Sequence, residues 1–276
     1  MIETQKDLYT RIEEACAYIQ SHTSQKPEIA IILGTGLGDL AKRLKDKEAV
    51  PYESIPHFPQ STVESHAGQL AFGKIGEKTV AVMEGRFHFY EGYSLEQVTF
   101  PVRVLRKLGA ETLIVSNAAG GMNLSYAKGD LVLITDQINM MGVNPLVGPN
   151  DNRLGIRFPD MSEPFSKALI DLAEKIAKSK DIRYQKGVYM GVSGPNLETK
   201  AEYRAFSRWA DVVGMSTVPE VIVGVHAGFR ILGISVITDI CDPDHLKAVD
   251  IQEIIQVANE AGPKLIQLIE SLIKAM

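Results

Sequence analysis

Arg86 and His88 stand two residues apart in Glu84-Gly85-Arg86-Phe87-His88-Phe89-Tyr90-Glu91-Gly92. In extended chain, residues i and i+2 project to one face, so a planar guanidinium fork and an imidazole point together. Arg offers parallel donors to an oxyanion, and His adds another when protonated. Glu91 is placed to hold that imidazole in orientation. The plainer alternative for an Arg-x-His pair is a solvated loop with aromatic packing. A second anion signal is Gly34-Thr35-Gly36-Leu37-Gly38, which follows the apolar run Ile29–Leu33. Glycines there free backbone N–H groups to converge on a ligand, with Thr35 adding a hydroxyl, and such a nest ahead of a helix suits phosphate. A dinucleotide fingerprint would need G-x-G-x-x-G and an acidic strand end about 20 residues on. The spacing here is G-x-G-x-G, and Glu53 sits between Pro51 and Pro56. A bare strand–helix turn also explains the glycines.

Several further segments place unusual residues after apolar runs. Val115-Ser116-Asn117-Ala118-Ala119-Gly120-Gly121 offers small residues that let backbone approach a ligand, or relieve a crowded turn. Gly214-Met215-Ser216-Thr217-Val218-Pro219-Glu220 carries a hydroxyl, Ser216, near a helix start, suited to phosphate or to simple capping. Gly194-Pro195-Asn196-Leu197-Glu198-Thr199 is a turn bearing one carboxylate, and Asp239 follows the apolar run Ile231–Thr238. Asp242, Asp244 and His245 lack the second His or Cys pair of a metal site and read as a turn.

These residues need a scaffold. Apolar strand candidates occur at Ile29–Leu33, Thr79–Met83, Thr112–Ser116, Leu131–Thr135, Gly187–Val192, Asp211–Val213 and Ile231–Thr238. Helical spacing runs through Leu8, Ile12, Ala15, Cys16 and Ile19, and again through Phe165, Leu169, Leu172 and Ile176 after the cap-plus-proline Ser162-Glu163-Pro164. A last helix begins near Asp250, with Gly262-Pro263 expected to kink or restart it. Val221–Ile237, interrupted by His226 and Arg230, reads as a helix and then a buried strand rather than a membrane span. Alternating strands and helices predict an α/β fold with a largely parallel or mixed sheet covered on both faces, whose ligands lie beyond strand carboxyl ends.

At 276 residues, 45% hydrophobic and 23% charged, the chain suits one large soluble domain without repeats or linkers. A net charge of -5 argues against nucleic-acid binding. Two cysteines without metal or disulfide spacing, and an N-terminus without a signal peptide's apolar core, point to the cytoplasm.

Taken in order, Gly34–Gly38, Ser65-His66-Ala67-Gly68, Gly85–Gly92, Asn117–Gly121, Gly194-Pro195, Glu198-Thr199 and Gly214–Glu220 resemble the trimeric class of purine nucleoside phosphorylases over nearly the whole chain. The resemblance implies a single domain, residues 1–276, on a twisted, mixed, partly barrel-like sheet flanked by helices and assembled as a homotrimer. It implies reversible phosphorolysis of purine (deoxy)ribonucleosides to free base and (deoxy)ribose 1-phosphate. Inorganic phosphate is then a co-substrate, with no metal or other cofactor. By position, Thr35, His66, Arg86, His88, Ala118 (through its N–H) and Ser216 would bind phosphate. Tyr90 and Met215 would line the ribose, and Leu197 would also contact the nucleoside. Glu198 and Asp239 would hold the purine, and Phe158 would reach a neighbouring subunit's ribose site. His88, Glu198 and Asp239 are the expected catalytic residues.

Two departures from the family pattern bear on substrate. Its 6-oxopurine enzymes usually place Asn where Asp239 stands, whereas methylthioadenosine phosphorylases place Asp there. The usual His for the ribose 5′-hydroxyl is replaced near Val249 or Ile251. Glu198-Thr199 and the Arg86–Gly92 block match the 6-oxopurine branch, so inosine and guanosine are the expected substrates. A 6-aminopurine or 5′-methylthioadenosine phosphorylase is the alternative. A nucleoside-binding protein without catalysis is a further possibility, while a Ser-His hydrolase would need the G-x-S-x-G elbow that the chain lacks.

Overall fold

The computed structural model describes residues 7–34, 38–60 and 67–276. Among the described residues nine strands form one mixed sheet: β1 (Ile29–Ile32), β2 (Lys45–Pro51), β3 (Gln69–Ile75), β4 (Lys78–Glu84), β5 (Thr112–Gly121), β6 (Leu131–Asn139), β7 (Tyr184–Gly191), β8 (Val212–Gly214) and β9 (Arg230–Ile240). Their order is β2-β3-β4-β1-β5-β8-β7-β6-β9, and β5 also pairs with β9. That extra pairing closes β5, β8, β7, β6 and β9 into a ring, with β1, β4, β3 and β2 extending from β5 as a wing.

β1 is buried throughout because it is parallel to β4 on one side and to β5 on the other. Fully covered parallel strands read as continuous apolar runs. β2 is its opposite. Lys45-Asp46-Lys47-Glu48 is exposed and only Val50 is buried, the charged edge that discourages strand addition. β3 and β4 form a hairpin through the two-residue turn Gly76-Glu77, where Gly76 has φ 61°.

Six α-helices among the described residues flank the sheet: α1 (Leu8–His22), α2 (Leu95–Lys107), α3 (Lys167–Ser179), α4 (Lys200–Phe206), α5 (Val218–His226) and α6 (Ile251–Ala275). α1 packs on α2 and α2 on α5, while α3 packs on α6. Each of α2 and α4 starts with a reciprocal capping box, Ser94 with Gln97 and Thr199 with Glu202.

Three sequence expectations change. α6 runs unbroken through Pro263, since its buried face from Ala258 to Ile273 holds the helix despite the lost hydrogen bond. α3 begins at Lys167, not at Pro164. The Ser166 N–H donates to the Ile231 carbonyl and Phe165 is buried in the core, which keeps that stretch non-helical. The segment Asn117–Gly121 is strand rather than turn, and β9 continues past Asp239. Val221–Ile237 is helix and then strand, as its interruptions indicate. Among the described residues no helix is long and apolar enough to cross a membrane.

Candidate active site

β1, β4, β5 and β9 run parallel, so one edge of the sheet collects their carboxyl ends. At Gly34 the chain leaves β1 in close contact with β5. Its N–H donates to Ser116 Oγ at 3.3 Å, and a Cβ there would lie 2.8 Å from the Asn117 Cα. Only glycine allows that approach. Thr35, with Gly36 and Leu37, lies outside the described residues, and so does His66. The helix entered at Gly38 is a six-residue 3-10 turn, Gly38–Arg43.

Arg86 follows β4 and is 2% exposed. Its Nε donates to Glu220 Oε1 at 2.7 Å, and its Nη1 donates to the Ser116 carbonyl at 2.9 Å and to Ser216 Oγ at 3.3 Å. Its Nη2 is buried with no hydrogen-bond partner among the described residues, as are Glu220 Oε2 and Asn117 Oδ1. A buried guanidinium normally satisfies its donors. One held on two sides with its outer nitrogen unsatisfied is arranged to receive an anion. Phe87 packs against Tyr52 and Tyr93, with ring centroids at 5.2 and 6.0 Å. His88 is buried, its Nδ1 2.7 Å from Glu91 Oε1, and the same carboxylate accepts its N–H at 2.8 Å. Glu91 thus orients the imidazole, and Tyr90 stacks on it at 4.6 Å.

Ser216 lies where the chain leaves β8 and enters α5. The N-cap, Thr217, has φ 65°, a costly conformation for a β-branched residue that persists only where its surroundings enforce it. Asn117 Nδ2 donates to Thr217 Oγ1 at 2.9 Å, and the Tyr189 hydroxyl lies 3.5 Å from Ser216 Oγ. Ser216 therefore faces Arg86 at the positive end of α5. Ala118 is half-buried within β5, opposite Val236.

The two carboxylates expected at the base, Glu198 and Asp239, come from different elements. Between β5 and β9 the register passes from Ala119–Ile237 to Gly120–Asp239. Thr238 is the extra residue of this bulge, a device that re-aims the next side chain. Asp239 Oδ1 accepts from Thr238 Oγ1 at 3.0 Å and Oδ2 from Cys241 Sγ at 3.3 Å. Glu198 sits in the loop before α4. Burial raises its carboxyl above the ordinary value, a hydrogen bond with Tyr203 opposes this, and the charges of Glu202 and Asp239 add to the rise. Met215 packs against Gly194, where a Cβ would lie 2.3 Å from its sulfur. Leu197 is exposed.

Phe158 does not join this cluster. It is 82% exposed, beside exposed Val147 and Ile156 and under Arg157, in the wall of a cavity of about 470 Å³. Ile251 is exposed at the start of α6, and Val249 is half-buried. Asp242 accepts the Asp244 N–H and lies 2.8 Å from the His245 ring, forming a turn. Sequence reasoning gave no role to Glu220, Asn117, Tyr189 or Tyr203. Glu220 carried one signal, a carboxylate in the first turn of an otherwise apolar helix.

Comparison with known proteins identifies the family. The phosphorylase superfamily model matches residues 28–274. The chain is 51% identical over 264 residues to purine nucleoside phosphorylase 1 of Bacillus subtilis, covering 95% of this chain and 97% of that protein. It is 44% identical over 276 residues to purine nucleoside phosphorylase of Mus musculus, covering 97% and 96%. Among solved structures, isoform 2 of purine nucleoside phosphorylase from Schistosoma mansoni, in complex with cytosine and ribose-1-phosphate, superposes with a TM-score of 0.93 at 37% identity over 97% of each chain. The inosine complex of Schistosoma mansoni purine nucleoside phosphorylase gives 0.92 at 38% identity, covering 97% and 96%. The chain belongs to the phosphorylase superfamily, and within it to the purine nucleoside phosphorylases.

Proposed function

We propose that the protein is a purine nucleoside phosphorylase, a pentosyltransferase that moves the (deoxy)ribose of a purine nucleoside reversibly onto inorganic phosphate. Relatives at 43–51% identity bear that name over nearly their full length, and related solved structures hold adenosine, inosine and guanosine. The observation that carries the reading is the Arg86 guanidinium, braced by Glu220 and Ser116, with Nη1 on Ser216 and Nη2 without a partner among the described residues.

Breaking the N-glycosidic bond leaves positive charge on the sugar and negative charge on the base. A phosphate dianion held by Arg86, His88, Ser216 and the Ala118 N–H, with Thr35 and His66, stabilises the cation and then captures the anomeric carbon. Phosphate itself supplies the neutralising charge, so the reaction needs no metal or cofactor. Tyr90, Met215 and Leu197 line the ribose side. Glu198 and Asp239 hold the base, where a raised carboxyl pKa helps Glu198 support a proton on the leaving purine. Losing one contact aimed at developing charge raises the barrier by about 3–4 kcal/mol. Inosine and guanosine are the preferred substrates in this reading. Asp239 favours the 6-aminopurine alternative, since an ionised carboxylate accepts from an amino group and repels a 6-oxo oxygen.

Exposed Phe158, Val147 and Ile156 support assembly as a homotrimer in which Phe158 completes a neighbour's ribose site. Reduced, unpaired Cys16 and Cys241 accord with a cytoplasmic enzyme. The test is base release from inosine, adenosine and methylthioadenosine with and without phosphate. Release that requires phosphate and yields sugar 1-phosphate supports the proposal. Release that ignores phosphate means a hydrolase, and no release from any of the three means a binding protein.

A further inference from the structure

The loop before α4 and the end of β9 are joined by two side chains that the proposed chemistry does not use. Tyr203, 2% exposed on α4, lies beside both Glu198 and Cys241, and burial, then these two neighbours, push its hydroxyl pKa up. Cys241, 1% exposed, donates to Asp239 Oδ2 at 3.3 Å. Tyr203 and Cys241 thus stand between the two carboxylates assigned to the base, with the Cys241–Asp239 bond as the direct contact. The approach depends on Gly120, where a Cβ would lie 2.5 Å from Cys241 Sγ and 3.3 Å from Asp239 Oδ2.

Cys241 is well placed to be a donor and poorly placed to be a nucleophile. Burial, reinforced by the charge of Asp239, pushes its thiol far up, so the sulfur keeps its proton. Asp239 then receives a donor on each oxygen, Thr238 on Oδ1 and Cys241 on Oδ2. Donors on both oxygens fix the plane of the carboxylate. A carboxylate accepts hydrogen bonds but cannot donate one.

We propose that Cys241 is a positioning residue for base selection, its thiol fixing Asp239 as an acceptor turned towards purine N–H groups, a 6-amino group among them. This rests on the reading that Asp239 meets the base. Removing the thiol leaves Oδ2 without that donor, so the carboxylate is free to turn, and the contact weakened is the one that a 6-amino N–H makes and a 6-oxo oxygen cannot.

The experiment measures kcat/KM for inosine and for adenosine at saturating phosphate, in one preparation of each protein. The ratio of the two constants cancels any misfolded fraction. Cys241→Ala, and Cys241→Val as a variant that keeps the side chain bulky, raise the inosine-to-adenosine ratio roughly three- to tenfold, the scale of one net hydrogen bond. Cys241→Ser restores a donor and keeps the wild-type ratio within about twofold. An unchanged ratio in Ala and Val, with a shifted ratio in the control Asp239→Asn, overturns the role of Cys241 alone. A Ser variant that shifts as far as Ala overturns it too, because volume and not donation then matters. An unchanged ratio in Asp239→Asn overturns the placement of Asp239 at the base, and the proposal with it.

Discussion

Replacing Glu220 by Gln removes one charge from an ion pair whose side chains are 2% and 3% exposed, at 2.7 Å. Gln keeps an acceptor for Arg86 Nε, so the loss falls near the lower edge of the ~3–5 kcal/mol cost of breaking a buried pair. At about 2–4 °C per kcal/mol, Tm falls roughly 6–12 °C without phosphate. If Arg86 holds the anion, phosphate supplies the missing counter-charge. Taking a fixed negative charge from the wall of an anion site also strengthens the attraction, by on the order of 1–3 kcal/mol at an effective dielectric of about 20. Saturating phosphate therefore raises Tm by more in Glu220→Gln than in the wild type. kcat still falls, because a neutral amide acceptor holds the plane of the guanidinium less firmly than a carboxylate does. Thermal unfolding with and without phosphate reads both effects. A wild-type Tm would refute the energetic argument, and an identical phosphate shift in both proteins would refute the placement of phosphate at Arg86.

Asp239→Asn adds an amide donor and moves relative kcat/KM towards 6-oxopurines by tenfold or more, since one unpaired polar contact can decide selectivity on that scale; steady-state rates with inosine and adenosine check it. Phe158→Ala raises the nucleoside KM roughly 5- to 30-fold, as truncating an aromatic anchor does, leaves the phosphate KM unchanged, and is read by kinetics beside sedimentation of the trimer. His226 gives a pH signature. Burial, and then the Arg103 cation at 3.1 Å, lower its pKa below the ordinary 6.5. The unfolded chain therefore binds the proton first as pH falls. The contribution of neutral His226 is complete above about pH 6.5 and is lost as pH drops towards the folded value, so denaturation midpoints fall across that window and His226→Gln flattens the fall.

How much of this was legible in the sequence depends on what each segment must bury. β1, the first half of β5, β6 and β9 are covered on both sides, and their apolar runs stand out. β2 was invisible because an edge strand with a charged face carries no such pattern. α2 hid behind Thr99, Phe100, Pro101 and Val102, residues of poor helix propensity, although its capping box Ser94–Gln97 was a usable signal. At the site, the Arg86–Glu91 block could be read locally because Glu91 orients a residue three positions away. Glu220 could not, since only the folded sheet brings it 134 residues back to Arg86. Asp239 was recognised by its place after an apolar run, but the bulge that turns it arises from pairing with β5 and leaves no trace in β9 alone.

The central claim is that Arg86 and Ser216 hold the phosphate that traps the sugar. A crystal structure of the protein soaked with orthophosphate tests it most directly. The account predicts an anion bonded to Arg86 Nη2 and Ser216 Oγ, on the side of the cluster that faces Glu198 and Asp239. Phosphate bound elsewhere, with Nη2 still unsatisfied in an enzyme that turns over inosine, would contradict it.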